Sequence, residues 1–413
     1  MVASAAELLQ HACLVSNWFV DADMNFLPPI ASIASMATIA SVRTQRLLCR
    51  IFYALAISSA LAGSGAASAS EYDNAVKALN KKQYVAAINT FRKLANAGDA
   101  NAQFRLGGIY LKGQGVKQNL PEAVAWFRKA ALQGHADAQN SLGVRYEKGQ
   151  GIAQDYREAI DWYRKSALQR FALAQENLAD MHARGLGGAR DDAEAFSWAA
   201  RAAANGESSA NAKLGMLEAR MTPAQMAEAQ FRLAAAYTAG TGVKADPPVA
   251  VQWLEKAAAQ GHAAAQYQLA DSYDKGTGVA QDYAKALAWF EKAALQNDAR
   301  AQSAAGYMYD IGQGVAIDPK RAQDWYEKAA AGGDAFAQYN LGSMFGVGRG
   351  VERSDLKAYM WFSIAEENSG SAAGKTAAGT AAQSRRLVEA QMTPEQIAEA
   401  QRLAREWSRQ HAR

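Results

Sequence analysis

Cysteine is nearly missing: the 413-residue chain has two, Cys13 and Cys49, both within its first fifty residues. Downstream of them neither a disulfide framework nor a catalytic thiol can be built. Proline is scarce at eight residues, and alternating β-branched runs are hard to find, which argues against sheet. There is no long run of lysine and arginine and the formal net charge is only +4, so the basic stripe that a nucleic-acid backbone requires is lacking. What is abundant is alanine and glycine, in a chain whose residues are 50% hydrophobic. The composition predicts a helical protein with a core of small side chains at close spacing.

The start of the chain carries one address signal, "RTQRLLCRIFYALAISSALAGSGAASAS". Arg43, Arg46 and Arg50 form a positive flank, Ile51 to Gly63 an apolar core, and Ala67-Ser68-Ala69 the small residues that signal peptidase accepts. The core is too short for a membrane span, which takes ~20 residues. Residues 36–69 therefore read as a signal peptide opening at Met36, with residues 1–35 an over-extended start. Cys49 precedes the apolar core and cannot serve as a lipid anchor. The expectation is an exported, periplasmic or secreted protein without a membrane span after cleavage.

Beyond residue 70 the sequence repeats. Tryptophans stand at 126, 162, 198, 253, 289, 325 and 361, every step being 36 residues except one of 55. Ala-Gln pairs ending at Gln103, Gln139, Gln175, Gln230, Gln266, Gln302 and Gln338 keep the same beat, and a Gly-x-Gly recurs in phase, as in "KGQGV" and "KGTGV". Each repeat reads as two helices, A and B. Ala102, Leu106 and Tyr110 recur at four-residue steps and share one face of an A helix, which stops at the Gly-x-Gly. B helices open at Asn119, Asp155, Asp191, Asp246, Asp282, Asp318 and Ser354, all N-cap residue types worth about 1 kcal/mol each. Pro247 and Pro319 follow in the first turn, where proline is tolerated. One such pair cannot bury its apolar face alone, but stacked neighbours can. The periodic tryptophans then read as core, each worth about 3–5 kcal/mol.

The stretch "AQYQLADSYDKGTGVAQDYAKALAWFEKAA" at 265–294 resembles a Sel1-like repeat, a relative of the tetratricopeptide repeat, and the likeness extends over about residues 72–413. "KALNKKQYVAAINTFRKLANAGD" at 77–99 resembles a tetratricopeptide-style opening pair. The resemblance implies an all-α fold, a right-handed α-solenoid of helix pairs that presents a surface to partners. "MTPEQIAEAQRLAREW" from Met392 is similar to the closing segment of such arrays, and "MTPAQMAEAQ" at 221–230 repeats it internally. The chain thus reads as two arrays joined by an internal cap-like segment: 70–220, then 221–391, closed by a capping helix at 392–413. The inner cap would double as the next A helix, residues 211–218 being a stunted repeat, with a bend expected near 205–225.

Catalytic motifs weigh little. "GSAAGKT" at 370–376 lacks the glycine spacing and preceding strand of a phosphate-binding loop and reads as a small-residue insertion. Ser354-Asp355-Leu356-Lys357 matches the Ser-x-x-Lys of penicillin-interacting enzymes, but Ser354 stands in a capping slot and the companion motifs are missing. A hydrolase of β-lactams or cell-wall peptides is the weakest of three readings. His135 and His262 sit in equivalent turns, His182 takes a tyrosine slot, and no metal spacing appears. No cofactor is expected.

Partner contacts are expected instead on an A-helix stripe opposite Leu106 and Tyr110, which lines the concave surface if the tetratricopeptide arrangement holds. The first array offers Phe104 and Asn140 among mostly polar residues. The second offers Phe231, Tyr267, Asp271, Asp274, Arg300, Tyr307, Asp310, Phe336 and Tyr339. Aromatics among charges suit a protein or peptide segment. The preferred reading is a non-catalytic exported scaffold, for which the resemblance brings envelope signalling and exopolysaccharide assembly as settings. The alternative is a protein that binds glycan or peptidoglycan fragments by aromatic stacking.

Overall fold

The computed structural model describes residues 69–368 and 372–411. The 1–35 segment, Cys13, Cys49 and the apolar core of the expected signal peptide lie outside the described residues. Every regular element among the described residues is helical. The chain divides between Lys117 and Gln118 into two compact units. The first holds a helix at residues 69–80 followed by Tyr84–Asn96 and Ala100–Lys112. There Phe91 is fully buried and meets the edge of Tyr72 at 5.7 Å.

The second unit is an α-solenoid. It opens with the B helix Leu120–Leu132 and continues with six A/B pairs. These are Ala136–Lys148 with Tyr156–Leu168, Ala172–Arg184 with Asp192–Ala204, and Pro223–Ala239 with Pro247–Ala259. Then come Ala263–Lys275 with Tyr283–Ala294, Ala299–Ile311 with Pro319–Ala331, and Ala335–Val347 with Asp355–Glu367. All seven expected B-helix caps form, each side-chain oxygen accepting a bond from a first-turn amide. Most A helices are capped by the turn before them, the exception being Ala172–Arg184, which follows Phe171. His135 and His262 serve there as Asp298 and Asp334 do elsewhere, their Nδ1 atoms accepting from Ala138 and Ala265 amides at 3.3 and 3.2 Å. The capping role requires the Nε2–H tautomer.

The periodic glutamines are buried fasteners. Gln266 Nε2 donates to Ala258 O of the preceding B helix at 3.0 Å, while its Oε1 accepts from Gln296, at the end of its own B helix, at 2.7 Å. Gln139 with Gln169 and Gln338 with Asn368 repeat the arrangement. One side chain thus ties three successive helices, its amide donating to one and its carbonyl accepting from another. The Gly-x-Gly turns supply left-handed backbone and close approach: a Cβ on Gly278, at φ +76°, would sit 2.5 Å from the Pro247 carbonyl.

The tryptophans are core in part: Trp126, Trp162, Trp198 and Trp361 are buried, while Trp253, Trp289 and Trp325 are half-buried. The residue after each one lies deeper still: Tyr163, Leu254, Phe290, Tyr326 and Phe362 are nearly or completely buried. Opposite them the A helix carries a small residue, and a Cβ on Gly306 would come within 2.8 Å of the Tyr326 ring. The tryptophans flank this column. Trp126, Trp162 and Trp198 each donate their indole N–H to a glutamate one turn earlier. A lysine or arginine three residues on lies over six of the rings, as Lys292 does over Trp289 at 3.7 Å. Six of the seven indoles are thus held between helix and cation, and removal disturbs the interior least where the ring is half-buried, at Trp253, Trp289 and Trp325.

The 55-residue step is an extra helix pair seam. The short helix Ala210–Glu218 packs on Asp192–Ala204 in the place of a following A helix. Pro223–Ala239 packs on that same B helix and also on Pro247–Ala259. Pro394–Gln410 packs likewise on Asp355–Glu367, with Trp407 edge-on to Trp361 at 5.1 Å. Both cap-like helices open with a capping box, at Thr222 with Gln225 and at Thr393 with Gln396. Packing register changes at this seam. Elsewhere the second turn glycine abuts the preceding B helix, whereas Gly242 abuts Gln175, Ala167 and Trp198, and its carbonyl accepts from Gln175 and Asn205 at 2.6 and 2.8 Å. Residues 372–376, read from sequence as part of an insertion, belong instead to the helix Ala372–Glu389, which packs on Asp355–Glu367 and Ala335–Val347. Its alanines give it helical propensity, but its Ala382-Gln383 pair falls out of phase with the 36-residue beat and it lacks the Gly-x-Gly that marks the other A helices.

Candidate functional site

The A helices of the last pairs bring the expected stripe together in part. Tyr267 packs on Phe290 at 5.6 Å, and the Arg300 guanidinium lies 4.4 Å from its ring centre. Arg300 is held there by Asp298 at 2.8 Å. One helix further, Tyr307 meets Phe336 edge-on at 5.8 Å, and both rings are about 40% exposed (40% and 39%). Tyr339 tilts onto Phe362 at 5.8 Å, and Phe231 stacks on His262 at 4.6 Å, both half-buried. Asp271 pairs with Lys275 at 2.6 Å. Asp274 accepts from Gln313 at 3.3 Å and has no cation partner. Phe104 is half-buried in the first compact unit.

Two expected surface residues are interior. Asn140 is 6% exposed and accepts from Asn177 of the neighbouring A helix at 3.0 Å. Asp310 is 5% exposed and is covered by Arg349, 2.7 Å away in the turn after the next A helix. In both cases a polar residue 37 or 39 positions on reaches back over the stripe. Conversely, sequence reading overlooked Ile311 and Val347, 45% and 70% exposed. The signal was present: their slot holds Lys112, Lys148, Arg184 and Lys275 in other repeats.

Asp310 and Tyr326 form an unfinished version of a bond completed elsewhere. Tyr163, at the equivalent slot to Tyr326, donates to Glu147 at 2.6 Å. Burial, then the Glu147 hydrogen bond and charge, push the Tyr163 phenol upward. Asp310 is one methylene shorter, and Tyr326 OH and Asp310 Oδ1 are both buried without a partner. Burial also raises both groups, with Arg349 opposing the shift of each. Tyr163→Phe is therefore expected to cost about 1 kcal/mol in thermal or urea unfolding. Tyr326→Phe removes an unsatisfied hydroxyl and is expected to leave stability unchanged or raise it by up to about 1 kcal/mol.

The seam between the arrays concentrates charge. Arg232 reaches Asp191 and Glu194 at 2.9 Å each and Glu228 at 2.6 Å, and Glu228 also meets His262 Nε2 at 3.0 Å. Asp192, buried, is shared by Arg190 at 2.6 Å and Arg220 at 2.5 Å. The Arg190 hydrogen bond, opposed by burial and joined by Arg220, holds Asp192 below the ordinary carboxylate range. Burial pushes Asp191 and Glu228 upward, but hydrogen bonds outweigh it and both end below that range. For Asp191 these come from the Glu194 amide and Arg232, for Glu228 from Arg232 and His262. His182, in the tyrosine slot, is depressed by burial with Arg164 adding to the effect and Glu194 opposing it.

Little here resembles a catalytic constellation. Ser354 Oγ caps its helix by accepting from the Lys357 amide at 3.3 Å, while the Lys357 ammonium lies over the Phe345 ring at 4.9 Å. The family described as Sel1 repeat matches the chain at residues 100–135, 136–171, 172–207, 227–262, 263–298, 299–334 and 335–369. Those matches leave out 208–226, the seam. Among solved structures, a Sel1 repeat protein from Oxalobacter formigenes is 32% identical, over 63% of this chain and 96% of that one, with a TM-score of 0.32. A protective antigen of uropathogenic Escherichia coli displaying an SLR fold is 29% identical, over 84% of this chain and 85% of that one, with a TM-score of 0.36. No curated protein matches the chain.

Proposed function

The chain belongs to the Sel1 repeat family, whose members generally mediate protein–protein interaction and are generally non-catalytic, and we propose that it is an exported scaffold that holds a protein partner along the A-helix face of its second array. The observation that carries this reading is the pair of aromatic contacts bridging adjacent A helices, half-buried Tyr267 beneath Arg300 and exposed Tyr307 against exposed Phe336. Rings fixed by their neighbours bury large area at small entropic cost when a partner arrives. Export rests on the charged flank, apolar core and Ala67-Ser68-Ala69 of the leader. No helix among the described residues is long and apolar enough to cross a membrane. Envelope signalling or exopolysaccharide assembly would be the setting.

Affinity capture with mild crosslinking from the envelope tests the reading. One dominant protein is expected, and it is expected to be lost when Tyr267 and Tyr307 are both changed to alanine. Retention of cell-wall glycan or polysaccharide instead, sensitive to the same changes, would replace a protein ligand by a saccharide. Amino-terminal sequencing of the envelope form is expected to begin at Ser70.

A further inference from the structure

The A-helix face changes character along the last three pairs. Helix Ala263–Lys275 carries Asp271, Asp274 and Lys275, a net charge of −1. Lys275 is taken by Asp271, which leaves Asp274 as a carboxylate without a cation. Helix Ala299–Ile311 has only Arg300, held by Asp298, and Asp310, buried under Arg349. Helix Ala335–Val347 has no charged residue. On these two helices stand four exposed large apolar side chains, Tyr307, Ile311, Phe336 and Val347, of which Val347 is the most exposed. The register is fixed by contacts between neighbours: Arg300 over Tyr267, Gln313 to Asp274, Tyr307 against Phe336, and Arg349 to Asp310. The acidic helix and the apolar pair therefore lie side by side.

Resting on the scaffold reading above, we infer that this face binds an extended peptide segment of the partner with lysine or arginine at one end and large apolar side chains at the other. The cation sits at Asp274 and Asp271, and the apolar side chains cover Tyr307, Phe336, Ile311 and Val347. Charge selects the occupant. A uniformly apolar partner would leave Asp274 unpaired beside Asp271, and a uniformly basic one would bury most of its charges on the two apolar helices, where the one carboxylate, Asp310, is taken by Arg349. Burial and the neighbouring Asp271 charge raise the Asp274 carboxyl, with the Lys275 charge opposing the shift.

The test uses the full chain and dye-labelled octapeptides carrying two lysines at one end and three leucine or phenylalanine residues at the other, made in both chain directions. Their counterparts have glutamates for lysines, or serines for the apolar residues. Binding by fluorescence anisotropy is expected for one direction of the basic–apolar peptide and to be at least tenfold weaker for either counterpart. Ile311→Lys with Val347→Lys installs what the same slot holds at 112, 148 and 275, so folding is preserved, and affinity is expected to fall at least tenfold. Asp271→Asn with Asp274→Asn is expected to weaken binding about fivefold and to abolish its salt dependence. Equal binding of lysine and glutamate peptides, or a change under twofold in Ile311→Lys/Val347→Lys, overturns the inference. So does a dimer in sedimentation that this double variant converts to monomer, since the face would then belong to a second copy. If the captured protein is lost with Tyr267 and Tyr307 while the peptides bind indifferently, the inference fails and the scaffold reading stands. If neither responds, both fail.

Discussion

Phe290→Ala is expected to destabilise the second unit by about 3–5 kcal/mol, and to do so locally. Phe290 is 4% exposed and sits between its own A helix, where Ala270 leaves room for it, and the alanines of the next pair. A stacked array behaves as a chain of nearest-neighbour interfaces, so the loss should be confined to a pair and its neighbours. Hydrogen exchange should accelerate across Ala263–Lys275 and Ala299–Ile311, while Ala136–Lys148 keeps its protection. Uniform acceleration along the unit would mean that it unfolds as one cooperative block. The substitution also removes the floor under Tyr267, whose ring tilts on Phe290 at 5.6 Å, so partner binding should weaken even where the fold survives. Trp289→Ala next door is expected to cost about 2 kcal/mol, because the indole is only half-buried and one of its faces meets Lys292.

That ordering of Phe290 above Trp289 could not be read from periodicity. Both residues recur every 36 positions, and tryptophan is the more conspicuous, but a period says which residues share a face and not which of two neighbours points inward. What could be read was local chemistry. Asp155, Asp282 and Ser354 announce helix starts because a short side chain with an oxygen is what free first-turn amides need, and those bonds form. The Ala-Gln beat was visible while its reason was not, since the fastening role of Gln266 depends on Ala258 and Gln296, which only the folded chain brings within reach. The candidate site divides in the same way. Tyr307 and Phe336 were assigned to an outward stripe and are exposed. Asp310 belongs to that stripe by spacing, yet Arg349 from the following turn closes over it. Ile311 and Val347 emerge only when slots are compared, because an apolar residue attracts attention where its counterparts are lysine. Helix Ala372–Glu389 escaped because its alanines form a helix without the turn glycines that betray the others.

Arg232→Met is expected to uncouple the two arrays. The guanidinium joins Asp191 and Glu194 of one to Glu228 at the opening of the next, and Glu228 passes the connection to His262. Without it three carboxylates face one another. Arg232 is 32% exposed, so its removal should cost about 2 kcal/mol, between the under 1 of surface pairs and the 3–5 of buried ones. Helix Asp192–Ala204 keeps its cap, because Asp191 Oδ1 still accepts from the Glu194 amide at 2.9 Å. The loss therefore falls on the seam and not on either array. Calorimetry should show one transition of the second unit broaden or split into two. Acid should reproduce the effect in the unmodified chain. Asp191, Asp192 and Glu228 are held below the ordinary carboxylate range in the folded protein. Their contribution is then complete above that range and is lost as pH falls through the depressed folded values, below about pH 4. Arg232→Met should accordingly be less sensitive to acid than the unmodified protein, its seam already open at neutral pH. A variant that melts in one sharp step and loses as much stability in acid as the parent would place the coupling elsewhere, in Gln175 and Asn205 clasping the Gly242 carbonyl.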